Sequence, residues 1–121
     1  MKKYLLGFLS VAVAIIGFAF TKPVKHTFSN YLFQYTAPGG SYTIANVTDK
    51  TKWAFVSVDG TPSCDATPEK ACQLLFEAAG VDASGTPILN SSASITAVES
   101  ITNVAYVTGG TDINTISNQV R

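Results

Sequence analysis

Hydrophobic and polar positions alternate with a period of two along most of this chain, which is the signature of half-buried strands. In Ser29 to Thr36, Tyr31, Phe33 and Tyr35 alternate, so a strand here carries three rings on one face. Pro38-Gly39-Gly40 ends it as a turn. Ser41 to Val47, with Tyr42 and Ile44 on one face, reads as a second short strand, and Asp49-Lys50 as another turn. Thr51 to Val58 is the strongest strand signal. Trp53, Phe55 and Ser57 point one way and Ala54, Val56 and Val58 the other. Both faces are mostly apolar, which predicts a central strand. Asp59-Gly60-Thr61-Pro62 stops it.

The segment after Thr67 supports two readings. Thr67-Pro68-Glu69 has the order of an N-cap, a first-turn proline and a first-turn acid, with Gly80 as a stop, which predicts a short helix over Glu69 to Ala79. Alternation of Cys72, Leu74 and Phe76 against Gln73 and Glu77 predicts instead a strand, paired in a hairpin with Lys52 to Val58. Val81 to Pro87 reads as a loop. Ser94 to Val98 and Asn103 to Thr108 are predicted strands, with Gly109 to Asp112 as a turn. Ile113 to Arg121 reads as a weak edge strand or a frayed tail.

The start of the chain has a different pattern. Met1-Lys2-Lys3 is basic, Tyr4 to Ile16 is apolar and uncharged, and Gly17-Phe18-Ala19 supplies small residues at its end. This is the pattern of a secretory signal sequence over residues 1–19, cleaved between Ala19 and Phe20. Residues 20–28, with Lys22, Pro23, Lys25 and His26, then form a flexible leader, and residues 29–121 one small extracytoplasmic domain. Retention of Tyr4 to Phe20 as an anchor is the alternative, since about seventeen residues is the lower limit for a spanning helix. No Cys follows the apolar stretch, which disfavours an N-terminal lipid anchor.

Cys64 and Cys72 are the only cysteines. In an exported chain they predict a disulfide closing a short loop. Cys-x-x-Cys redox spacing is absent, and a zinc site would need more ligands than this pair and the single histidine, His26. Charged residues make up 13% of the chain and the net charge is zero. No basic patch is available for nucleic acid or for an anionic membrane. An enzyme is disfavoured too: Gly-x-Ser-x-Gly is missing, and Asp59, Asp65 and Glu69 read as solvated loop acids. Asp59-Gly60 lacks the repeated oxygen ligands of a calcium loop. No cofactor and no metal are expected.

The signal ending in Ala19-Phe20-Thr21, the strand with Trp53, Cys64 followed by Ala71-Cys72-Gln73-Leu74, and then Ile88-Leu89-Asn90-Ser91 together resemble the small exported proteins of unknown function abundant in Bacteroidetes. The resemblance implies that the segment after Cys72 is a strand. It implies no activity and no site residues.

The expected fold is therefore mainly β, a small antiparallel sheet with one disulfide loop behind a signal helix. The α+β reading with a helix after Thr67 is the alternative. The expected role is an exported, non-catalytic binding or structural protein with a protein or surface partner, meeting the membrane only transiently through its signal. Tyr31, Phe33 and Tyr35 are either a recognition face or simply the core of a small sheet. An edge strand at Ile113 to Val120 could pair with another chain. An envelope accessory protein held by an uncleaved helix is the remaining alternative.

Overall fold

The computed structural model describes residues 29–65 and 68–120. The signal, the Ala19-Phe20 junction, the leader and His26 lie outside these residues.

The described chain is mainly β, with antiparallel sheets and the Cys64–Cys72 disulfide. Its main sheet has four strands: β1 (Asn30–Tyr35), β2 (Trp53–Val58), β3 (Lys70–Glu77) and β8 (Ile113–Gln119), in the order β2-β1-β3-β8. Between β3 and β8 the chain forms the short β4 (Val81–Asp82) and β5 (Ile88–Leu89) pair, then a hairpin of β6 (Ser94–Ile101) and β7 (Val104–Thr111). Asn103 takes the left-handed conformation in the tight turn of that hairpin (φ 62°), which an asparagine tolerates because its short polar side chain bonds locally.

One face of the main sheet and one face of the β6–β7 hairpin close on a common core. Phe33, Tyr35, Trp53, Leu74 and Phe76 come from the sheet, and Ile95, Ala105 and Val107 from the hairpin. Phe33, Leu74, Phe76 and Val47 are fully buried. Burial of an aliphatic or aromatic side chain contributes about 1.5–3 kcal/mol, so this cluster dominates the stability of a domain this small.

Several sequence expectations need correction. For the segment after Thr67 the strand reading holds and the helix alternative does not: it is β3, and the first-turn helix signals are overridden because both faces of this strand find cover, with Ala71, Leu74 and Phe76 in the core and Gln73 and Leu75 buried outside it. β3 pairs with β1 and β8, not in a hairpin with β2. Ser41 to Val47 is not a strand. It turns into the single-turn helix α1 (Ile44–Val47), with the Thr43 hydroxyl accepting from Asn46 N–H at 3.4 Å. The turn lets Val47 enter the core and puts its carbonyl 2.8 Å from the Trp53 indole N–H, which donates to it. β2 is an edge strand, not a central one, and Ala54, Val56 and Val58 are exposed. Gly109 to Thr111 continue β7. The chain turns only at Asp112, which takes a left-handed φ of 62°. Val81 and Asp82 pair with Leu89 and Ile88 rather than lying in a plain loop. Of the two readings of the tail, the edge strand holds: Ile113–Gln119 is β8, paired with β3 at the edge of the main sheet.

Candidate functional site

The aromatic face of β1 is the core. Phe33 is fully buried and Tyr35 nearly so, with only Tyr31 half-buried. Phe33 packs edge-on against Phe55 and Phe76, with centroids 6.0 and 5.8 Å apart. Tyr35 lies 5.3 Å from both Tyr42 and Trp53 and donates its hydroxyl to the Ser41 carbonyl at 2.7 Å. Alternation in the sequence places the three rings on one side. It cannot say which side faces water, and here that side faces the β6–β7 hairpin. Phe33 and Tyr35 therefore belong to the core, and Tyr31 is the one ring of the three that stays partly exposed.

Burial pushes the Tyr35 phenol above its ordinary value of 10.0, and the charges of Tyr42 and Asp49 add to the effect. The unfolded chain then gives up this proton first as pH rises. The stability linked to this proton is fully present below about pH 10 and declines above it. Melting temperature is expected to fall above about pH 10, and to fall less steeply in Tyr35→Phe, as read by calorimetry across that range.

The cysteine loop lies on the opposite face of the main sheet. Cys64 and Cys72 are bridged, with Cα atoms 6.4 Å apart. Two further ties hold the loop. Ser63 N–H donates to the buried Gln73 Oε1 at 2.9 Å, and Ser117 Oγ donates to the Cys64 carbonyl at 3.3 Å. Gly60 approaches the Leu32 and Ser57 side chains so closely that a Cβ would overlap the Ser57 hydroxyl. The segment at Gly60 that leads into the loop thus covers Leu32 on the face away from the core. Opening the bridge with Cys64→Ser/Cys72→Ser is expected to cost about 2–3 kcal/mol by the chain-entropy model. A urea titration comparing it with the oxidised protein checks this, and the near-UV spectrum of Trp53 should be retained.

The acids singled out in the sequence serve local geometry. The Asp59 carboxylate accepts from Asn30 N–H at 2.7 Å and locks the end of β2 to the start of β1. Asp65 is exposed in the cysteine loop, and Glu69 sits half-buried in the turn before β3. Asp49 and Asp82 lie below the usual carboxylate range because Thr51 and Ser84, respectively, donate hydrogen bonds to them. A cleft of about 750 Å³ opens at one end of the main sheet between Asn30, Glu77, Ala78, Ala79 and Asn114. It offers one carboxylate and two amides, which is a polar rim and not a nucleophile with its base. Among the described residues, no three His, Cys, Asp or Glu side chains gather as metal ligands, and no helix is long and apolar enough to cross a membrane.

The feature that sequence reasoning missed is the outer edge of β2. Val56 and Val58 are 47% and 48% exposed, and Ala54 is exposed beside them. Leu32 pairs with Ser57 and Phe33 with Phe55, so Val56 is the extra residue of a β-bulge. The signal available in the sequence was the lack of charge and proline from Trp53 to Val58, the same property that suggested a buried strand. No protein-family model, no curated protein and no solved structure matches this chain.

Proposed function

We propose that this chain is an exported small domain with a non-catalytic binding or structural role, processed at Ala19-Phe20 and working in an extracytoplasmic compartment of the cell envelope. The observation that carries the reading is the Cys64–Cys72 bridge in a chain that opens on a basic and then apolar leader. Disulfides persist in secreted and surface proteins and are rare in a reducing cytosol. The resemblance to small exported proteins of Bacteroidetes points the same way. Low charge and a surface rich in Ser, Thr and Asn suit an extracellular module. The outer edge of β2, which no described strand pairs, supports recognition by strand pairing, which needs a backbone edge and no pocket.

The test is the intact mass of the protein recovered from its own host, taken with and without reduction. A chain beginning near Phe20, lighter before reduction by the hydrogens lost on forming one bridge, is the expected result. A full-length mass with free thiols overturns the reading and makes an envelope protein held by its uncleaved N-terminal helix the better one.

A further inference from the structure

β2 ends the main sheet on one side, and no described strand pairs with its outer backbone edge. Natural edges are blunted by lysine, proline, inward charge or cover. Other edges of this fold have such devices. Val104 of β7 is bridged by Tyr42, and the Asn118 amide bonds Val107 further along the same edge. β6 carries Glu99. β8 begins with exposed Asn114 and Thr115. Trp53–Val58 contains no charge and no proline and exposes two valines. Its one blunting device is the bulge at Val56.

The two ends of this strand differ in charge. Lys50 and Lys52 precede Trp53, Lys50 held on the Asn90 carbonyl at 2.7 Å and Asp49 lying near Lys52, so this end keeps a net positive charge, and Asp59 follows Val58. Antiparallel pairing of two β2 strands brings Lys52 of one copy to the Asp59 end of its mate, twice by symmetry. Parallel pairing would set like charge beside like. Continuing the sheet from β2 onto β8 of another copy would place Asp59 beside Asp112 at the start of β8, and it would be a head-to-tail contact that propagates without closing.

Resting on the reading of this chain as a non-catalytic module, we propose that its partner at this edge is a second copy of itself. Two chains pair antiparallel through β2 to form a closed two-fold dimer. One short bulged strand makes a small interface, so the association is weak and depends on concentration.

Sedimentation equilibrium of the disulfide-bonded protein from its host, over a wide concentration range, tests this. The expected result is a monomer–dimer equilibrium that weakens with added salt. Val56→Lys/Val58→Lys crowds lysines from both copies about the two-fold axis and is expected to be monomeric throughout, with an unchanged urea midpoint. Val98→Lys, on the exposed face of β6, is expected to dimerise like the unaltered protein. If the double variant folds poorly, Lys52→Glu is the second reading, with a dimer roughly tenfold weaker from the two reversed pairs. A monomer at every concentration, open-ended oligomers, or loss of the dimer in Val98→Lys alone would overturn the proposal. A monomer of processed, bridged mass overturns the dimer and leaves the exported-module reading standing. A full-length mass with free thiols overturns that reading whatever the association state.

Discussion

Replacing Phe33 with alanine is expected to destabilise the domain by about 3–5 kcal/mol, a large part of the roughly 5–15 kcal/mol that holds a typical domain folded. Phe33 is fully buried at the centre of the core, on the inner strand β1. Its ring makes edge contacts with Phe55 of β2 and Phe76 of β3, which flank β1 on either side. Each such pair contributes about 0.5–1.5 kcal/mol beyond the area it buries. Alanine therefore removes the transfer free energy of a ring, two aromatic contacts and the packing of the β6–β7 hairpin over the site. The cavity opens between three strands whose backbones are hydrogen-bonded, so it has little freedom to collapse. Urea unfolding followed by Trp53 fluorescence checks the size of the loss, since the Trp53 indole is tied to Val47 inside the same core. Val56→Ala, on the exposed edge of the neighbouring strand, should stay within about 0.5 kcal/mol of the unaltered protein. A Phe33→Ala loss no larger than that of Val56→Ala would mean that the ring is not the keystone described here.

How much of this was legible in the sequence depended on which residues decide each question. Strand identity was local. The alternation of Tyr31, Phe33 and Tyr35 and the run from Trp53 to Val58 located β1 and β2 nearly to the residue. Pairing was not local. β3 lies between β1 and β8, and neither its own alternation nor the cysteine spacing says so. The position of β2 was misread for a physical reason. An apolar run marks a central strand only if both of its faces are covered, and Ala54, Val56 and Val58 stay exposed. Ser41 to Val47 failed differently. Four helical residues are too few to show a period of 3.6, so only the Thr43 cap separated a helical turn from a strand, and that signal is weak on its own. The candidate site was legible in its parts. The disulfide followed from the count and context of the cysteines. The direction of the aromatic face and the openness of the β2 edge followed from neighbours far away in sequence.

Asn118 shows most sharply what the tail of a sequence can hide, and Asn118→Leu is the second large effect expected. The segment from Ile113 onward reads only as a weak edge strand or a frayed tail because Asn114, Thr115, Ser117, Asn118 and Gln119 are polar. In the fold Asn118 is buried on β8, and its amide faces the backbone of β7. Oδ1 accepts from Val107 N–H and Nδ2 donates to the Val107 carbonyl, both at 3.0 Å. The side chain thus takes the place of a residue in a neighbouring strand and ties the hairpin to the main sheet. Leucine has a similar volume but satisfies neither group. A buried backbone donor or acceptor left without a partner costs about 1–3 kcal/mol, so the pair is expected to cost about 2–6 kcal/mol in urea unfolding. Asn118→Asp separates this loss from mere repacking. Its carboxylate can accept from the N–H, but its second oxygen confronts the Val107 carbonyl, and burial raises its pKa above the unfolded value. The variant is then least stable near neutral pH. It regains stability as pH falls and the carboxyl takes up the proton it needs to donate to that carbonyl. An Asn118→Leu protein as stable as the original, or an Asn118→Asp protein whose deficit stays the same from neutral to acid pH, would show that the amide does not hold the two sheets together.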